Sequence, residues 1–241
     1  MIIIEIIDSH THWGPSVTMG TEVTTEELLT QAEQSNVNRI VIFPFPSMAL
    51  ADEGINERLL DEAKRINEFI PYYYIPETMK PIPDGKGFHE GKWHWMHGVQ
   101  DCSSNYQVLE DPKLIEFIEV SEKIDLPIVF EEEFSFTKTF VKKTKSLKII
   151  IPHFGMLGGD PIDFLNAFKA RENVYFDTAL ASPGTAMGFI EKIGYERVLF
   201  GSDIPFGTMK WELEKVLSLP IGNDKKEWIL GKNLKRLIGL T

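Results

Sequence analysis

The chain has a single cysteine, Cys102, so no disulfide can form within it, which fits a reducing, cytoplasmic setting. It also has no stretch near the ~20 apolar residues that a membrane helix needs, and no membrane partner is expected. A basic leader and a small-residue cleavage site are missing. Residues 1–7 are apolar around Glu5 and read as a strand rather than a signal peptide. Clustered positive charge is scarce too: 25 Lys and Arg face 36 Asp and Glu, a formal net charge of −11. Phosphate contacts need clustered Lys and Arg, so no nucleic-acid partner is expected. Low-complexity tracts and long charge runs are absent, and disorder is not indicated.

What is present is the material for a large core. The 241 residues are 43% hydrophobic and 25% charged, close in length to the ~250 typical of one (β/α)8 TIM barrel. One domain over residues 1–241 is the expectation. Short β-branched and aromatic runs alternate with longer amphipathic segments, the rhythm of βα units around a parallel sheet. Strands are predicted at 2–7, 39–43, 71–75, 97–102, 127–131, 148–152, 174–177 and 197–200. Several are uniformly apolar, as strands covered on both faces are. Helices are predicted at 53–69, 112–124, 161–171, 183–193 and 224–237, and at a capping box formed by Thr24 and Glu27. The third connection breaks the rhythm. Residues 77–95 hold Pro81, Pro83, Gly85, Gly87 and Gly91, which predicts a long irregular loop and a candidate lid.

Chemistry concentrates at strand ends. Asp8-Ser9-His10-Thr11-His12 closes the first strand, and histidines at i and i+2 project from one face, where both can reach one metal ion. Asp203 follows the short strand around Val198-Leu199-Phe200, and His153 follows Ile149-Ile150-Ile151-Pro152. Both stand where a barrel places its reactive groups.

With Tyr175-Phe176-Asp177-Thr178 and Leu199-Phe200-Gly201-Ser202-Asp203-Ile204-Pro205, these motifs fall in an order that resembles the amidohydrolase superfamily. The likeness is to the amidohydrolase-related group that includes aminocarboxymuconate-semialdehyde decarboxylase-like enzymes, and it spans the whole chain. It implies His10 and His12 as metal ligands. It makes Asp203 the last-strand carboxylate, contacting metal or taking a proton from its water, and His153 a proton carrier, substrate polariser or further ligand. The departure is at the fifth strand, where Glu131 stands in place of the family's histidine. A carboxylate is a competent ligand for zinc and more so for a harder ion such as manganese. Between Trp95 and Ser103 no lysine offers a carboxylated bridge, so one divalent ion per chain, zinc or else manganese or another divalent metal, is expected.

The implied activity is hydrolysis of an amide, lactone or related carbonyl bond of a small molecule by metal-activated water. The alternatives are decarboxylation of an unsaturated acid on the same site, or an inactive barrel kept as a binding or scaffold protein. A homo-oligomer is compatible with all three. Asp8 is expected to orient the histidines or to hold a turn. Trp93, Trp95, Phe206 and Trp211 are candidates for an aromatic wall.

Overall fold

The computed structural model describes residues 5–52, 54–94 and 103–240. Its strands are β1 (Ile7–Asp8), β2 (His12–Ser16), β3 (Thr21–Val23), β4 (Arg39–Pro44), β5 (Phe69–Tyr74), β6 (Glu90–His94), β7 (Ile128–Glu131), β8 (Ile149–Ile151), β9 (Val174–Asp177) and β10 (Val198–Leu199). Its helices are α1 (Thr25–Ser35), α2 (Pro46–Ala51), α3 (Ile55–Arg65), α4 (Pro112–Ile124), α5 (Phe134–Lys143), α6 (Pro161–Phe168), α7 (Pro183–Ile193), α8 (Met209–Ser218), α9 (Asn223–Glu227) and α10 (Asn233–Ile238). No described helix is long and apolar enough to cross a membrane.

The strands make one curved sheet in chain order from β4 to β10, parallel throughout except for the β2–β3 hairpin. β4 also pairs in parallel with β1 and β2, so the first strand is one line interrupted at Ser9 to Thr11. The sheet is curled, and the segments that follow β1 and β10 approach one another. Ser9 N donates to Phe200 O at 2.9 Å, Asp203 N to His10 O at 2.7 Å, and His12 N to Ile204 O at 3.0 Å. These bonds place the end of β1 beside the end of β10.

Alternation along each strand sorts the core into two shells. Ile7, Val41, Phe43, Ile70, Tyr72, Val129, Ile150 and Leu199 pack on the concave face with Leu234, Leu237 and Ile238 of the C-terminal helix. Residues of opposite parity, among them Ile40, Ile42, Phe130 and Ile149, face the helices. The helices start as their sequences dictate: Thr24, Asp111, Asp160 and Ser182 each accept a main-chain N–H of the first turn.

Two expectations need correction. The strand expected at 97–102 lies outside the described residues, and the strand between β5 and β7 is β6 at Glu90–His94, paired in register with both. It sits inside the segment predicted to be irregular. The irregular part ends at His89, and it is not a lid, because Met79, Ile82 and Phe88 are buried in the outer shell. The β2–β3 hairpin, α5 and α8 were not foreseen.

Candidate active site

Every predicted site residue lies where the strands end on the concave face. His10, His12, Glu131, His153 and Asp203 are all buried. Asp203 Oδ1 is 3.4 Å from His10 Nε2 and 3.3 Å from His12 Nε2, while Oδ2 is 3.7 Å from His153 Nε2. Glu131 Oε1 faces His153 Nε2 at 3.7 Å. The segments between β1 and β2 and after β10 bring residues from the two ends of the chain together, and Gly201 permits the approach. A Cβ there would stand 2.9 Å from the Cβ of His10.

The imidazoles are oriented from behind. His10 Nδ1 lies 2.7 Å from Asp177 Oδ2, and His153 Nδ1 lies 3.2 Å from the Ala179 carbonyl. With Nδ1 committed to an acceptor in each case, Nε2 turns its lone pair toward the centre. Asp177 also accepts from the main-chain N–H groups of His153 and Ala179, so one carboxylate positions two histidines. Asp8 does not contact the rings. It accepts from the N–H groups of His10 and Ser202 and so ties the turn that carries His10 to the segment that carries Asp203.

His153 and Asp203 both adopt left-handed backbone, with φ of 54° and 55°. Such conformations cost of order 1–3 kcal/mol each in a non-glycine residue and persist where the surroundings over-determine them. Here the surroundings are the Asp177 hydrogen bond to His153 N and the Asp203 N–H bond to His10 O.

The strand correction changes the electrostatics. Lys92, on β6, is fully buried, with Nζ 2.7 Å from Glu131 Oε2, 3.4 Å from His10 Nε2 and 4.5 Å from the centroid of the Phe43 ring. The fourth strand therefore does carry a lysine into the site, contrary to the expectation from 95–103. His94, on the same face, has Nε2 3.5 Å from Glu131 Oε2. Burial alone would raise Glu131, yet Lys92, His94, His153 and His10 together hold its carboxyl well below the ordinary range. Burial opposes ionisation of Asp203 and Asp177 as well, and the histidines around them outweigh it, so both lie below the usual carboxylate value. His153 is pulled above the usual histidine value by Asp203, Asp177 and Glu131 against the effect of burial. His12 and His94 are lowered, chiefly by burial. Burial pushes Asp8 up to about 7.

A cation fits this arrangement. One ligand atom each from His10, His153 and Asp203 lies within 4.8 Å of the others. Asp203 Oδ1 is buried without a hydrogen-bond partner between the two first-strand Nε2 atoms. An anionic oxygen left unsatisfied among imidazole lone pairs is the donor set a divalent ion takes.

Above the centre opens a cavity of about 320 Å3 reached by His12, His94, Glu131 and Asp203 from below, with Phe45, Phe206 and Leu157 among its walls. Trp93 is not part of it. Its ring packs outward against Phe117, Phe130 and Phe140, with Nε1 donating to Glu132. Trp211 is exposed on α8, and Trp95 and His97 lie outside the described residues.

A curved α/β sheet with histidines and an aspartate gathered at its strand ends is an arrangement that could hold a divalent metal. The amidohydrolase family profile matches residues 107–240, more than half of the chain, and the protein belongs to that family and is an enzyme of its superfamily. No curated protein matches the sequence. Among solved structures, the chain is similar to 5-carboxyvanillate decarboxylase from Sphingomonas paucimobilis, with 12% identity, TM-score 0.79, and 99% of this chain and 100% of that one covered. It is similar to a dihydroxybenzoic acid decarboxylase from Polaromonas with bound manganese, at 13% identity, TM-score 0.75 and coverage of 99% and 98%. It is also similar to a Burkholderia multivorans amidohydrolase with bound zinc, at 12% identity, TM-score 0.78 and coverage of 98% and 100%.

Proposed function

We propose that the protein is a metal-dependent hydrolase that cleaves an amide, lactone or related carbonyl bond of a small molecule, on a curled sheet read as a closed (β/α)8 barrel. The observation that carries this reading is Asp203 Oδ1, buried and unpartnered between His10 and His12 Nε2. His10, His12 and Asp203 Oδ1 would hold one divalent cation, zinc or manganese, with His153 close enough to join them. When bound, such an ion supplies Lewis acidity, polarising an oxygen of the substrate and lowering the pKa of a neighbouring water from ~15.7 to about 7.

The remaining work falls to the chain. Asp177 locks His10, and the Ala179 carbonyl locks His153, so neither ring needs to reorganise during reaction. Asp203 accepts a proton from water through its carboxylate. His153 stands 3.7 Å from both Asp203 Oδ2 and Glu131 Oε1, between two carboxylates, and can carry that proton toward the leaving group. Glu131 is better placed as the partner of Lys92 and His153 than as a ligand, because Lys92 already occupies Oε2. Metal content of Glu131→Gln decides between this role and the expected one of a ligand standing in for a histidine. A substrate that fills the cavity would bring its apolar walls against the reacting bond and displace water from it.

Decarboxylation of an acid on the same centre is the second reading, supported by the similarity to two decarboxylases. The test is elemental analysis of protein purified without chelator, paired with a panel of esters, lactones, amides and aromatic acids. About one divalent ion per chain and release of acid from neutral carbonyl compounds supports hydrolysis. Release of carbon dioxide from the acids alone replaces it with decarboxylation. A chain that takes up no zinc or manganese refutes both.

A further inference from the structure

Three loops from distant parts of the sequence each turn a large apolar side chain toward the cavity mouth and leave it half in water. Met19 of the β2–β3 hairpin is 43% exposed, Leu157 after His153 is 50% exposed, and Phe206 after Asp203 is 55% exposed. Deeper in, Phe45 stacks on His12 at 4.4 Å between centroids and 10° between planes, and Phe206 meets the same imidazole edge-on at 5.8 Å. Apolar groups that stay wet around a concave site gain by being covered, and a ligand that fills the cavity covers all three. At about 320 Å3 the cavity is at the small end of ligand pockets, which run from ~300 to ~1,000 Å3, so one ring is a good fit.

The charge of the walls is equally informative. Among the described residues none of the cavity's side chains is Lys or Arg, and residues 95–102 contain neither. The cation nearest the floor, Lys92, is buried and engaged with Glu131. His12 and His94 bring imidazoles to the floor and Ser16, Thr18 and Ser47 bring hydroxyls, of which Ser47 is partly used in holding the hairpin, where its Oγ accepts from Val17 N at 3.1 Å. Glu131 and Asp203 add two carboxylates at the base. An anionic substituent pointing away from the floor would lose its water and meet apolar carbon, with no counter-charge in return.

We infer that the pocket selects compact, uncharged ring compounds that present a single carbonyl group to the histidine floor, and rejects those bearing a further anionic substituent. This rests on the hydrolase reading for what happens to the carbonyl, but the preference itself is a property of the walls.

Calorimetric titration of the full-length, metal-loaded protein with benzamide and with 4-carbamoylbenzenesulfonate separates the two. The sulfonate is chosen because it has little affinity for divalent ions. Benzamide is expected to bind at least about tenfold more tightly, equivalent to about 1.4 kcal/mol. In M19R and in L157R, both at half-exposed rim positions where folding is not at stake, that ratio is expected to fall to about one or invert. Equal or tighter binding of the sulfonate to wild type, no measurable binding of benzamide, or a ratio unmoved in both arginine variants would overturn the inference. Retained benzamide preference without turnover of phenyl acetate overturns the hydrolase reading alone and leaves the pocket's selectivity standing.

Discussion

Replacing Lys92 by methionine removes one positive charge from the floor of the site while keeping most of the side chain's volume. Its Nζ is 2.7 Å from Glu131 Oε2, and both side chains are almost wholly buried. Removing one member of a buried ion pair costs about 3–5 kcal/mol, because the other charge stays desolvated without compensation. That is a large share of the ~5–15 kcal/mol that holds a domain folded. The double variant Lys92→Met/Glu131→Gln loses both charges and should recover at least about 1 kcal/mol of the loss. Urea unfolding with chelator present, which removes any metal contribution, reads these differences. The pH dependence has a definite sign. In wild type the Glu131 carboxyl is held below its ordinary value, so its contribution is present above pH ~4.3 and lost as pH falls through the lower folded value. In Lys92→Met burial persists without the largest opposing charge, the carboxyl moves up, and ionising it becomes a cost. The gap between variant and wild type should therefore widen from pH 5 to pH 8. A gap under about 1 kcal/mol at pH 7, or one that narrows with rising pH, would refute the idea that Lys92 neutralises Glu131.

Other perturbations probe separate joints of the site. Asp177→Asn should weaken divalent-ion affinity about 10–100-fold in a chelator competition, since it loosens both His10 and the His153 main chain; unchanged affinity would remove Asp177 from the positioning role. In the metal-free protein, His153 should titrate above the usual histidine value and His12 and His94 below it, as read by NMR of the ring protons. The His153 contribution to stability is full below pH ~6.5 and fades as pH rises through its folded value, and the reverse order of the three titrations would contradict the geometry. Asn233→Ala should cost about 1–3 kcal/mol in urea, because Nδ2 satisfies the buried carbonyl of Val198 and the partly buried one of Tyr195; a loss below that range would mean water replaces it.

Much of the site could be read from the chain because its signals are local. His10 and His12 end an apolar run, and His153 and Asp203 each follow a short β-branched or apolar segment, so periodicity alone put them on a strand-end rim. The fourth strand escaped for a physical reason. Glu90, Lys92 and His94 alternate onto the concave face, and Gly91 lies between them, so β6 lacks the apolar signature of a buried strand. The buried charge of Lys92 is matched by Glu131 across from it, a pairing 39 residues away that no local pattern reveals. The role of Asp177 was hidden in the same way. Its partner His10 is 167 residues distant, and nothing at Tyr175-Phe176-Asp177 distinguishes a positioning carboxylate from a turn residue. The hairpin was missed because Thr21 to Val23 is too short to show alternation.

The joint between the first and last strands has a consequence for how the molecule matures. Asp8 accepts from Ser202 N across 194 residues of chain, and Asp203 N reaches back to His10 O. Loop closure over such a separation is among the slowest and latest contacts to form. On the proposed ligand set, His10 and His12 would leave the ribosome early and wait for Asp203, so a nascent chain would have only a partial claim on a metal ion until β10 docks. Uptake of an ion at that set would then work as a latch, favouring the finished fold over every half-assembled form by an amount set by the free metal concentration.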